Sequence, residues 1–273
     1  MDVLIEKLDG QQKRFSELGL IPRDFLVSSI GLREYSSQIT GRSGRIDKGA
    51  DYDAKTIAVP FMFESADLAS YPQKRDEIFA WLGGKDSFYI YEGRSEVETP
   101  FEMPGENNGA WSYQSDIDFS KRWLVRRTNN MTPDQKGLWG LTEITFSTVE
   151  LPFGESAAYR KASFENPVDI VVMNHGNEAV DPESGMELLI EYVGYSTNLK
   201  IRNRTNETLW TYTGSSVNLD KIRIDGINST KSMLSIVRNT NLEYIRLEPG
   251  RNDISVEGAT TGTLSFQFRE YFR

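Results

Sequence analysis

The feature that most constrains this chain is a period of two in its second half. Met186, Leu188, Ile190 and Tyr192 alternate with Glu187, Leu189, Glu191 and Val193. Leu199 and Ile201 alternate with Lys200 and Arg202, and Leu264, Phe266 and Phe268 with Ser265, Gln267 and Arg269. In an extended strand successive side chains point to opposite faces, so this pattern buries one face of a sheet and wets the other. Turn signals separate the runs: Asn-His-Gly-Asn at 174–177, Asp-Gly at 225–226 and Pro-Gly-Arg-Asn at 249–252. Short strands at such spacing predict a β-sandwich or jelly roll over residues 163–273.

The first half reads differently. Strand-like runs at 56–62, 88–91, 122–126 and 143–149 surround one clear helix. Ser70 and Gln73 form a Ser-x-x-Gln capping box, Ile78, Phe79, Trp81 and Leu82 supply an apolar face, and Gly83-Gly84 ends the helix. The pattern is α+β and mostly β, without the regular strand–helix alternation of a nucleotide-binding fold. The join falls near 152–158, giving domains of 1–157 and 163–273.

Chemistry is sparse. With no cysteine, the chain has no disulfides, thiolate metal sites or cysteine nucleophiles. The lone histidine, His175, sits in a predicted surface turn without the companions that a triad or a zinc site needs. Asp51-Tyr52-Asp53 and Asp116-Ile117-Asp118 match an Asp-x-Asp metal pattern of the weakest kind, and neither continues into a calcium loop. No phosphate loop, nucleophile elbow or His-Glu-x-x-His stretch occurs. The sequence therefore assigns no catalytic, cofactor or metal residues, and the expectation is a protein that is not an enzyme. A glycan hydrolase would need a carboxylate pair set by spatial separation, which a sequence does not display.

The formal net charge is −9, so broad binding to nucleic acid is not expected. The one basic cluster with interleaved aromatics, Lys121-Arg122-Trp123-Leu124-Val125-Arg126-Arg127, is read as a partly buried strand pairing with nearby acids. No apolar run approaches the length of a membrane span. The opening residues 1–9 have acids where a signal peptide has an apolar core, so synthesis in the cytoplasm is expected. The sequons at Asn130, Asn203, Asn206 and Asn228 are read as turn residues. Residues 92–118 form the longest stretch read as irregular, with Glu92, Glu96, Glu98, Glu102 and Glu106 ahead of Trp111 and Tyr113. Such a segment is expected to project as an arm.

Several motifs along the chain, in order, resemble the distal tail proteins (the Dit family) of long-tailed, non-contractile phages of Gram-positive bacteria. They are the opening Met1-Asp2-Val3-Leu4-Ile5-Glu6-Lys7-Leu8-Asp9-Gly10, Ser16-Glu17-Leu18-Gly19, and Phe25-Leu26-Val27-Ser28-Ser29. Further on come Gly41-Arg42-Ser43-Gly44-Arg45-Ile46-Asp47-Lys48-Gly49, Lys55-Thr56-Ile57 and Tyr71-Pro72-Gln73-Lys74-Arg75-Asp76-Glu77-Ile78-Phe79. The exit at 143–156, the turn at 174–177, Leu199-Lys200-Ile201-Arg202-Asn203-Arg204-Thr205 and Leu247-Glu248-Pro249-Gly250-Arg251-Asn252 complete the series. The acidic stretch near 92–118 is longer than such proteins usually carry.

The resemblance implies a virion protein of the tail tip, made in the host cytoplasm, whose first domain forms a hexameric ring continuing the tail tube. It implies a galectin-like β-sandwich outside the ring, and as partners the tail tube protein, a tail-fibre or tail-associated protein and a receptor-binding protein. DNA passes the ring without specific binding, and no membrane insertion is implied. An alternative makes the sandwich a carbohydrate-binding module for host-wall glycans. Trp210 and Tyr212 are its candidate aromatics, with at most one of them expected to point outward, and no galectin-type His-x-Asn-x-Arg string occurs.

Overall fold

The computed structural model of the chain describes residues 1–95 and 117–273, leaving aside the side chain of Ser95. It divides into two compact units, Met1–Gly154 and Glu155–Arg273. Among the described residues it is mostly β, with a single α-helix.

Unit 1 starts with β1 (Asp2–Lys7), β2 (Gln12–Arg14), β3 (Leu20–Pro22) and β4 (Leu26–Val27). There follow β5 (Leu32–Ser37), β6 (Ile46–Tyr52), β7 (Thr56–Glu64) and α1 (Tyr71–Leu82). β8 (Phe88–Ser95), β9 (Ile117–Asp118), β10 (Lys121–Arg127), β11 (Asp134–Lys136) and β12 (Trp139–Thr148) complete it. The main sheet runs β2-β1-β8-β10-β12-β7-β3. Its ends are drawn together: Phe15 N donates to Val3 O and Leu20 N to Phe15 O, each at 2.8 Å. Residues 15–20 thus bridge the first strand and the last, and the sheet curls round its core.

Alternation builds that core. Ile57, Val59, Phe61 and Phe63 of β7 point inward, facing Ile144 and Phe146 of β12. Val3, Ile5, Phe88, Ile90, Trp123 and Val125 continue the layer, and Tyr71, Ile78 and Leu82 bring α1 onto it. Each such side chain contributes about 1.5–3 kcal/mol when fully buried. The helix starts and stops where the sequence places it, but its cap differs. Ser70 makes no side-chain cap bond within the helix. Asp67 Oδ1 instead accepts from Ser70 N (2.7 Å), and Ser70 Oγ accepts from Asp67 N (3.1 Å), so the reciprocal box sits three residues earlier than predicted.

The ends of the 92–118 stretch also differ from expectation. Residues 92–95 are strand, and β9 pairs back onto them through Arg94↔Asp118 and Ser95↔Ile117. The predicted arm between them, 96–116, lies outside the described residues.

Gly154–Ser156, β13, straddles the boundary between the units. Unit 2 then holds β14 (Arg160–Glu165), β15 (Asp169–Asn174), β16 (Leu188–Asn203), β17 (Thr208–Thr211) and β18 (Ser215–Ser216). β19 (Lys221–Asp225), β20 (Asn228–Lys231), β21 (Leu234–Ser235), β22 (Gly250–Phe268) and β23 (Tyr271–Phe272) follow. β16 and β22 pair along almost their whole length and bend together, with register breaks around Ser196. Before the bend the even positions Leu188, Ile190 and Tyr192 are buried; after it the odd positions Leu199 and Ile201 are. One side of the bend joins β14, β19 and β20, the other β15 and β17. The two long strands therefore serve both layers of a sandwich. Trp210 of β17 spans its core, Nε1 donating to Ser229 Oγ of β20 at 3.1 Å.

Candidate functional site

The residues singled out from sequence do not converge on one centre. His175 is exposed in its turn, but it is not isolated: its Nδ1 lies 2.9 Å from Glu270 Oε1 and 2.6 Å from Arg160 Nη2. A guanidinium, an imidazole and a carboxylate in a row tie β14 to the residues before β23. They include no nucleophile. Asp53 is engaged by Arg33 at 2.8 Å, and Asp51 lies exposed on β6. Asp118 sits in β9, and Asp116 lies outside the described residues. No group of three or more His, Asp or Glu among the described residues could hold a metal ion.

The basic cluster is strand β10, as read. Trp123 and Val125 face the core, with Trp123 tilted against Phe25 at 5.7 Å. Arg122 is buried too, within 3.7 Å of Glu6, its guanidinium 3.8 Å from the centre of the Tyr89 ring. Its Nη1 also donates to the Tyr91 hydroxyl at 3.3 Å, which in turn donates to Glu6. Burial, reinforced by the Glu6 carboxylate, pushes the Tyr91 phenol up to about 12. Arg127 instead donates to the carbonyls of Asn129 and Gly83. The cluster is thus built into the sheet and offers no continuous face to phosphate.

Trp210 and Tyr212 meet the expectation that at most one of them points outward, since neither does. Residues two apart on a strand share a face, and both side chains face inward, 0% and 6% exposed. Their rings stack on each other at 6.5 Å and 22°. A glycan platform needs accessible aromatic faces, which this pair does not supply. The flanking asparagines serve the fold. Asn203 donates to Arg246 O (2.7 Å) and Asn252 Oδ1 (2.8 Å), and Asn206 donates to Arg246 O (2.9 Å).

What the sequence did not show as a strand pair is the ribbon β5–β6, although residues 41–49 and 51–53 stood out for other reasons. It pairs from Leu32↔Tyr52 to Ser37↔Ile46, with a bulge opposite Tyr35 where Gly49 takes φ +94°. All residues from Leu32 to Tyr52 are exposed except Ser37 and Ile46, which are half-buried. The glycines at 41, 44 and 49, all at positive φ, were the available turn signal. A cavity of about 330 Å³ opens at the ribbon's base, lined by Arg33, Tyr52, Asp53 and the segment 148–152. Glu150 stands there with φ +64°.

Over its full length the chain is similar in fold to the SPP1 Dit (gp 19.1) protein, described as a paradigm of the hub adsorption apparatus in Gram-positive-infecting phages. The match has a TM-score of 0.66 and 11% identity, and covers 98% of each chain. The phage P2 baseplate in its activated, calcium-bound conformation aligns at a TM-score of 0.43 and 9% identity, over 98% of this chain and 97% of that one. No curated protein matches the sequence. A family model does, across residues 8–148, almost all of unit 1. The chain belongs to the family of phage tail proteins with a RIFT-related domain.

Proposed function

We propose that this tail protein is the distal hub of a long-tailed phage. Six copies form a ring through residues 1–157, continuing the tail tube, while residues 163–273 carry the attachment of neighbouring tail-tip proteins. The supporting observation is that the phage-tail family match, residues 8–148, covers most strands of the curled sheet of unit 1. The role is structural and not catalytic. DNA crosses the ring without binding, which suits a subunit of net charge −9, and the lumen carries more acidic than basic side chains. Tail tube, tail-fibre and receptor-binding proteins are the neighbours.

Native mass spectrometry and negative-stain images of the full chain test this reading. The expected result is a six-fold ring with an open centre and no salt-dependent affinity for duplex DNA. A chain that stays monomeric at every concentration, or one whose DNA affinity falls steeply with salt, refutes it.

A further inference from the structure

The sandwich of unit 2 seals one edge of a layer and leaves the opposite edge open. β17 ends the layer on one side, and a side chain occupies its outer backbone. Asn241 Oδ1 accepts from Thr211 N (3.1 Å), and Asn241 Nδ2 donates to Leu209 O (2.7 Å), so an amide stands in for the next strand. β15 ends the layer on the other side, paired with β22 in unbroken register from Asp169↔Ser255 to Asn174↔Gly250. Val256 N donates to Val168 O at 2.7 Å, which makes Val168 a hydrogen-bonded position of that pair. Such positions recur at every second residue of an antiparallel ladder. Ile170, Val172 and Asn174 therefore bond β22, while the N–H and C=O groups of Asp169, Val171 and Met173 point away from it. Among the described residues nothing pairs with those outward groups. Exposed edges are usually blunted by lysine, proline or a bulge. Asp169-Ile170-Val171-Val172-Met173-Asn174 has none of these, and its central residues favour strands. Val171 and Met173 are 37% and 42% exposed, and Ile170, on the core-facing side, is only half-buried.

We propose that β15 is an acceptor edge, beside which an extended segment of a neighbouring tail-tip protein adds to the sheet as a further strand. The proposal rests on the reading of residues 163–273 as the attachment unit and names where attachment occurs. Outward N–H and C=O groups at alternate residues are met in full by another extended backbone. On the inner face the added side chains lie beside Ile170 and lengthen the core, so they are apolar. On the outer face they meet Val171, Met173 and two closed ion pairs, Arg204–Asp169 and Arg251–Asp253, each at 2.8 Å. Uncharged polar side chains fit there, and the segment alternates between the two kinds. A second copy of this chain is the poorer occupant. One strand of 6 residues buries far less than the ~800 Å² per partner of a stable interface between folded bodies. Copies of net charge −9 also repel one another. A segment already held at the tail tip needs no such area, because tethering raises its effective concentration.

Amide hydrogen exchange of the full chain, resolved by residue with NMR, tests the edge. The probe is a synthetic alternating valine–threonine peptide of about six residues, with a lysine at each end for solubility. A control peptide carries N-methyl groups on its threonines, the residues that face Asp169, Val171 and Met173 across the new pair. In the free chain the amides of Ile170 and Val172 should exchange slowly and those of Asp169, Val171 and Met173 fast. Saturating probe should slow the latter by about tenfold or more, and the methylated peptide should not. Val171→Pro removes an N–H that faces outward, so it should keep the unfolding midpoint and abolish the gain at Met173. If proline lowers the midpoint, the methylated peptide, which leaves the protein unaltered, decides. A probe that protects none of the three amides overturns the proposal, and so does equal protection by both peptides. Outward amides that slow as protein concentration rises overturn it by assigning the edge to a second copy. Cross-linking mass spectrometry of intact particles separates the proposal from the reading beneath it, with links from other tail proteins expected at Asp169. Links to residues 163–273 that avoid β15 overturn the proposal alone, and none to those residues overturns the attachment reading as well.

Discussion

Gly194→Ala tests how the sandwich is built. Gly194 faces Gly262 where β16 and β22 bend, at φ +144°. A Cβ at this position meets Thr261 O at 2.2 Å and Gly262 Cα at 2.5 Å, both backbone atoms of the paired strand that cannot rotate away. Two costs therefore add. Holding a residue with a Cβ in that backbone region costs about 1–3 kcal/mol. Displacing a packed strand to admit a methyl group costs about 1–3 kcal/mol more. The sum, about 2–6 kcal/mol, is a large share of the ~5–15 kcal/mol that holds a typical domain together. Gly185→Ala isolates the first cost, since Gly185 has φ +83° and open space around it, and about 1–2 kcal/mol is expected there. Urea unfolding of the full chain, read by hydrogen exchange in peptides of β16 and β22, reports this unit separately from the other. Gly194→Ala should lower stability by about 1–3 kcal/mol more than Gly185→Ala does, the cost of displacing the strand. If the two variants differ by less than about 1 kcal/mol, the bend does not depend on glycine and the account of the shared long strands is wrong.

Other expectations follow from buried polar groups. Tyr91 has its phenol raised from 10.0 to about 12, so the folded state keeps a proton that the unfolded state releases first. Its contribution is complete below pH 10 and disappears as pH rises through about 12, a loss of about 3 kcal/mol. Tyr91→Phe should flatten that alkaline limb of a stability-versus-pH curve. Asn203 is fully buried, donates to Arg246 O and Asn252 Oδ1, and accepts from Thr205 N at 3.0 Å. Asn203→Ala leaves those groups unpaired and should cost about 2–3 kcal/mol in the same denaturation assay; an effect below about 0.5 kcal/mol contradicts the network.

Much of the fold was legible because burial leaves a period in the sequence. The predicted strands at 56–62 and 122–126 lie within β7 and β10, and the alternating runs at 186–193 and 264–269 coincide with β16 and β22 apart from a residue or two at their ends. What the period concealed was continuity. Buried positions pass from even to odd numbers across the bulge near Asn198, at φ +51°, so one strand of 16 residues reads as two shorter ones. The same parity rule, applied over two residues, places Trp210 and Tyr212 on a common face. The capping box moved for a local reason: Asp67 engages Ser70 before the helix begins, and Ser70 is then no longer free to cap it.

Of the candidate site, the ribbon β5–β6 was the least legible part, and the physics explains why. Hydrophobic alternation records which side chains leave water within one chain. A ribbon exposed on both faces has no inward side, and Leu32-Arg33-Glu34-Tyr35-Ser36-Ser37 accordingly shows no clean alternation. Its apolar residues look scattered and its charges look like those of a loop. Only the three-dimensional structure shows a well-formed ladder without a core of its own.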